Sequence, residues 1–209
     1  MHFYLSWPVN PFNFMMHPDT EIQFISEEIG YGVVATKFIP KGTITWVQDE
    51  LDQLYTPFQV SKMNTLAQQM IDKYSFRNNK GNFVLCWDIS KYVNHSFKSN
   101  CISTTYDFEI AIRDIYPGEE LTDDYGYLNV TEAFKAKDEG TQRSVVYPDD
   151  ILNFHKEWDA KIEESFKYIG EVAQPLLPLV TLENKTKLNK ILDGKEDPES
   201  LINLYYSEK

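Results

Sequence analysis

The chain has 209 residues, 42% hydrophobic and 14% aromatic, which excludes a disordered chain and suffices for one substantial core with a small appended lobe. Its net charge of −12 is spread along the sequence, with 15 acids against 9 bases over residues 21–130 and 16 against 11 over residues 131–209. That surface repels nucleic-acid phosphates and favours basic partners, although ordinary solubility accounts for it as well.

The first stretch, "MHFYLSWPVNPFNFMMHP", is apolar but has no basic leading region, and Pro and Asn interrupt it. It makes a poor signal peptide and a poor membrane span, so a cytoplasmic address without membrane contact is expected, with residues 1–20 as an N-terminal extension. From Glu21 the pattern becomes strand-like: "IQFIS", "GYGVVATKFI" and "TITWVQ" are β-branched and aromatic runs, with "IPKGT" as a turn. Residues 57–73 place Val60, Met63, Leu66, Ala67, Met70 and Ile71 at helical spacing. "NKGN" reads as a turn before the strand "FVLCWDI". Further strands are expected at "ISTTYDF" and "EIAIRDI", and "YPGEE" turns into a strand at "LTDDYGYL". Residues 149–169 then form an amphipathic helix with Ile151, Leu152, His155, Trp158, Ile162, Phe166 and Ile169 on one face, and Asp149 and Asp150 as first-turn acids. "TLENKTKLNKILDG" and "PESLINLYY" are two shorter helix candidates.

Taken singly, the motifs say little. Gly30-Tyr31-Gly32 is a lone G-x-G, and β-branched residues follow it instead of the third glycine and helix that a dinucleotide site requires. With Cys86 and Cys101 as the two cysteines, the chain can build neither a disulfide framework nor a four-cysteine zinc site. The histidines, His2, His17, His95 and His155, do not stand at metal-ligand spacing, so no metal is expected. "NHS" has no flanking glycine for the sharp turn of a hydrolase nucleophile, and a hydrogen-bonded Asn-His pair in a turn explains it as well. Adjacent carboxylates such as Asp123 and Asp124 would point to opposite faces of a strand.

In order and together, "GYGVVAT" with "IPKGTIT", "YVNHSFKSNC" and "IAIRDIYPGEELTDDYGY" resemble the SET domain of protein lysine methyltransferases. The resemblance runs from about Glu21 to Tyr127. It implies a mostly β fold with some α: short sheets of the β-clip kind with a knot-like crossing over residues 21–130, and a C-terminal helical region over residues 131–209 that closes the active site. It implies S-adenosyl-L-methionine as cofactor, met by Gly30, Tyr31, Gly32, Asn94 and His95, with His95 acting partly through its main chain. Tyr125 would be the catalytic tyrosine, and Tyr127, Ser103 and Asp123 would line the substrate channel. The implied partner is a basic, lysine-containing protein or peptide, with no direct nucleic-acid binding.

Methyl transfer from a sulfonium to an amine is an in-line displacement that needs positioning and a well-placed hydroxyl. A lysine near pKa 10.4 must first lose a proton, at roughly 4.6 kcal/mol at neutral pH, and a narrow aromatic channel beside a positive charge lowers that cost. The chain also departs from the family. Phe97 stands where many relatives carry a zinc-binding cysteine and no cysteine cluster follows "DYG", which resembles the zinc-free branch. There, Phe154 or Trp158 on the 149–169 helix would cover the cofactor. Asp123 and Ser103 replace channel aromatics, and Gln48 stands near the place of a substrate-side tyrosine. Those departures keep two other readings open: a non-catalytic SET-like module that binds a basic segment, and methylation of a small amine.

Overall fold

A computed structural model describes residues 15–207 of the chain; residues 1–14 of the expected N-terminal extension lie outside the described residues. Strand β1 (Thr20–Ser26) turns back into β2 (Gly30–Ala35), with the Ser26 hydroxyl accepting from the Ile29 N–H and Gly30 at φ +87° closing the turn. After β3 (Ile44–Val47) and β4 (Gln53–Tyr55), the helical run expected over 57–73 divides into α1 (Pro57–Ser61) and α2 (Thr65–Tyr74). The break is chemical. Asn64 is extended (ψ 161°), and its side chain accepts from the Ala67 N–H, so it caps a new helix instead of continuing the old one. Thr56 and Gln59 cap α1 reciprocally in the same way.

Strands β5 (Ser75–Arg77) and β6 (Phe83–Leu85) pair with β4 in a three-stranded sheet ordered β4-β6-β5. The strand expected over "FVLCWDI" stops at Leu85, because Asp88 accepts from the Ser90 N–H and starts a 3-10 turn over Ile89–Tyr92. Then come β7 (Asn94–His95), β8 (Cys101–Ser103), β9 (Phe108–Ala111) and β10 (Glu120–Asp123). The strand expected at "ISTTYDF" is split by a turn in which Asp107 sits at φ +57° and Thr104 bonds the Phe108 carbonyl. "LTDDYGYL" is likewise not one strand: Asp124 accepts from the Gly126 N–H and winds Tyr125–Tyr127 into a 3-10 turn.

Two sheets carry the site. One runs β1-β2-β10-β7, the other β3-β9-β8. Successive side chains of β8 and β9 alternate between faces. Ile102, Phe108 and Ile110 face one apolar cluster, while Cys101 and Ala111 face the other. The first cluster is completed from the C-terminal side by Ile151, Trp158, Ile162 and Phe166 of α3 (Asp150–Phe166), and by Leu188 of α4 (Leu182–Leu192) and Leu201. Between the sheets and α3, β11 (Phe134–Lys135) and β12 (Val145–Val146) form a small ladder of their own.

The helix expected at 149–169 thus exists, three residues shorter at its end, but Leu152 is exposed rather than on the buried face. Asp150 is a first-turn acid as expected, buried and paired with Arg143, while Asp149 is the residue before the helix. "PESLINLYY" winds only as a 3-10 turn over Leu201–Leu204, since the Tyr206 N–H is taken by the Asn129 side chain rather than by the turn before it. No helix among the described residues is long and apolar enough to cross a membrane.

Candidate active site

The "NHS" and "GEELTDDYGY" segments, apart in the sequence, lie side by side. β10 pairs with β7 in a parallel ladder, Thr122 against Asn94 and Asp123 against His95, and the Ser96 N–H continues it to the Asp123 carbonyl at 2.9 Å. Buried Asn100 locks the pairing with both ends of its amide: it donates to the Glu120 carbonyl (2.8 Å) and accepts from the Thr122 N–H (2.9 Å). On its other side β10 pairs with β2. The "GYG", "NHS" and "DYG" segments therefore meet in one sheet.

Asn94 joins the first two directly. Its amide donates to the Tyr31 carbonyl at 3.0 Å and to the Glu120 carboxylate at 2.6 Å. Gly32 makes the crossing possible, because a Cβ there would stand 2.3 Å from Glu120 Oε1. Tyr31 itself points outward and is 54% exposed, with its ring edge against Phe24 and Tyr92. Around Gly30 there is open space on the side a Cβ would take.

His95 accepts from the Tyr125 backbone N–H at Nδ1 (3.1 Å), which places the hydrogen of a neutral ring on Nε2. Burial pushes its pKa down, outweighing the nearby Asp124 and Glu139 carboxylates, so the ring is neutral at pH 7. The rings of Phe97, Tyr125 and Phe134 surround it at centroid distances of 4.5, 5.4 and 5.8 Å, and Nε2 is buried without a partner.

Tyr125 donates its hydroxyl to the Val93 carbonyl at 2.6 Å. Burial pushes its pKa well above the ordinary tyrosine value, and Asp123, Glu120 and Glu109 add to the effect. The hydroxyl is a permanent donor rather than a base. It opens on a cavity of about 510 Å³ that Trp46, Ser103, Glu109, Asp123, Val93 and Phe134 help to line. Tyr127 does not line this cavity: it is buried against Trp158, and its hydroxyl bonds Asp123.

Of the residues expected from sequence, Ser103, Asp123 and Tyr125 line the cavity, while Gly30, Tyr31, Gly32, Asn94 and His95 do not; they lie on β2 and β7, the two strands that flank β10. Trp158 belongs to the core, and Phe134 rather than Phe154 brings an aromatic ring to Tyr125, at 6.3 Å. Gln48, just past the end of β3, contributes its backbone N–H to the Asp107 carbonyl and does not line the cavity; Trp46 of β3 does. Glu109 is the other residue the sequence reading missed. Its signal was present: one acid in an otherwise apolar β-run, "FEIAI". Among the described residues no group of His, Cys, Asp and Glu could hold a metal ion.

Residues 30–126 match the family model of the SET domain, so a SET domain is present in that part of the chain. Its mix of small sheets and a helical C-terminal part is that of a SET fold, a domain whose usual role is methyl transfer. No curated protein matches the chain.

Proposed function

We propose that the chain transfers a methyl group from S-adenosyl-L-methionine to the side-chain amine of lysine in a basic protein, with Tyr125 as the catalytic hydroxyl. The observation that carries this reading is the Tyr125 hydroxyl, fixed on the Val93 carbonyl at the wall of a cavity large enough for a side chain.

The residues present fit the cofactor. A buried Nε2–H on His95 without a partner and the edges of Phe97 and Phe134 suit a flat heteroaromatic ring bearing acceptor nitrogens. The Tyr31 carbonyl and the Glu120 carboxylate, both held by Asn94, suit a cationic or hydroxyl-rich group beside Gly30 and Gly32. S-adenosyl-L-methionine would supply an activated methyl on a sulfonium. The Val93 carbonyl and the Tyr125 oxygen dipole would steady positive charge near the transfer point, and the aromatic wall would exclude water. The overall charge of −12 suits a lysine-rich partner.

The test is calorimetric titration of the whole protein with S-adenosyl-L-methionine, followed by methyl transfer to poly-L-lysine. The wild type should bind one equivalent and Asn94→Ala should bind more weakly; Tyr125→Phe should keep binding and lose turnover by roughly a hundredfold. Absence of cofactor binding, or full turnover in Tyr125→Phe, would overturn the reading.

A further inference from the structure

Trp46, Glu109 and Ser103 stand in one row across the second sheet. Trp46 pairs with Glu109 between β3 and β9, and Glu109 pairs with Ser103 between β9 and β8. All three line the cavity that Tyr125 opens on. From the other sheet Asp123 reaches the row: its carboxyl lies close enough to Glu109 for the Glu109 charge to raise its proton affinity, and it accepts from the Tyr127 hydroxyl and from Ser103 Oγ at 3.4 Å. Glu109 also accepts from Thr45 Oγ1 at 2.7 Å.

Two neighbouring carboxyls this deeply buried do not both ionise, so the pair carries one negative charge rather than two. Both residues are at least 95% buried, yet both contribute to the cavity wall. Trp46 supplies an independent sign of a ligand on the same wall. It is 6% exposed, and its indole N–H has no partner, a buried donor left for an acceptor from outside the fold. One buried anion and one unpaired donor complement an amine-bearing ligand that also presents an acceptor oxygen, as a lysine within a peptide does.

We propose that the Glu109–Asp123 pair is the proton acceptor of this site, taking the proton from the substrate ammonium beside Tyr125 so that the neutral amine can attack. The proposal rests on the methyl-transfer reading for its reaction and on the row of cavity residues for its place. The ammonium N–H bond breaks and the proton goes to a carboxylate oxygen, which leaves both carboxyls neutral. The lone pair so freed forms the new C–N bond as the methyl C–S bond breaks, and that bond's electron pair stays on sulfur. The extra proton passes to water when product leaves.

The surroundings favour such a transfer. Burial raises the proton affinity of both carboxyls, which brings the pair nearer to that of an amine. The titratable groups that face the pair are Tyr125, Tyr127 and Asp124 from its own segment, Cys101 from β8 and Asp88 from the turn before Ile89. Lys73, Arg77 and Lys91 are the cations that line the same cavity. Cys101 and both tyrosines are themselves pushed up by burial, so none of them competes to become the anion.

Infrared difference spectroscopy with n-butylamine, a lysine side chain without its backbone, tests the pair without methyl transfer. At neutral pH, butylamine should raise the protonated-carboxyl C=O band of the wild type by one group per chain. Glu109→Gln and Asp123→Asn should lose that increase and bind butylamine roughly tenfold more weakly or worse. Bound butylamine with an unchanged wild-type band, or no butylamine binding, overturns the proposal whether or not either variant folds. Titration with S-adenosyl-L-methionine on the same preparation separates the two ideas. Cofactor binding without the band refutes the proton acceptor and leaves methyl transfer standing. The band without cofactor binding supports the acceptor and refutes methyl transfer.

Discussion

Arg143 pairs with Asp124 through one guanidinium nitrogen and with Asp150 through the other, and all three side chains are largely buried. Asp124 caps the turn that carries Tyr125, and Asp150 opens α3, so one arginine fastens the C-terminal helix to that turn. The rings of Phe97, Phe154 and Trp158 lie against the guanidinium at 4.5, 4.5 and 5.5 Å. Arg143→Ala leaves two buried carboxylates without a cation and should cost about 3–5 kcal/mol, read as a lowered urea midpoint. Arg143→Lys, which cannot bridge both acids with one planar fork, should recover only part of it.

Gly32→Ala puts a methyl group 2.3 Å from Glu120 Oε1 and 2.8 Å from Ile25 Cγ1. The Glu120 carboxylate can swing away, but it then leaves Asn94. We expect about 1–2 kcal/mol of destabilisation, half or more of it restored in Gly32→Ala/Glu120→Ala, measured by thermal melting. Equal melting of the single and double variants would show that Ile25, not Glu120, is the obstacle.

Asn184 of α4 donates to the Tyr106 carbonyl at 2.8 Å and to Asp107 Oδ2 at 2.9 Å, in the turn where Asp107 takes its positive φ. Asn184→Ala strands both acceptors and should cost about 1–3 kcal/mol. Amide exchange should quicken in α4 and around Leu201 before it does in β2 and β10, because the clamp acts on the C-terminal side.

Asp52 lies in a turn where burial raises its pKa from 3.8 to about 6, against hydrogen bonds from the Asp49 and Trp87 backbones that lower it. Between those values the folded state holds a proton that the unfolded state has lost. The stabilisation is therefore complete below about pH 4 and disappears as pH rises through about 6. Asp52→Asn cannot lose it. Relative to wild type, the variant should gain about 1 kcal/mol in urea unfolding between about pH 4 and pH 7, because water screens part of the effect. A difference independent of pH would exclude Asp52 as the titrating group.

The parts of the molecule legible in the sequence were those set by local chemistry. Gly30-Tyr31-Gly32, Asn94-His95 and Asp124-Tyr125-Gly126 are short and ordered, and the parallel pairing of Thr122 with Asn94 brings them together as the SET resemblance implied. What escaped was decided by single side-chain bonds or by register. Asn64 broke a run whose apolar spacing was helical throughout, and Asp124 converted a strand pattern into a 3-10 turn. Glu109 and Trp46 became cavity residues through their pairing with one another, a relation between strands more than sixty residues apart that no local window contains. The sequence points to α3 for an aromatic cover, but Phe134 comes from β11, a two-residue strand too short to show any periodicity.

The shared apolar cluster has a consequence for synthesis on the ribosome. Phe108, Ile110 and Tyr106 are translated early, yet Phe166, Leu188 and Leu201 cover the same cluster and emerge up to about ninety residues later. Until then one face of β3-β9-β8 stays wet, and at a typical elongation rate the wait lasts roughly 5–20 seconds. A nascent chain in that interval presents a sticky, half-built sheet, which is the kind of surface that holding chaperones cover. The fold can therefore be completed only late in translation, and a stop codon placed after Val130 would release a product that never loses that sticky face.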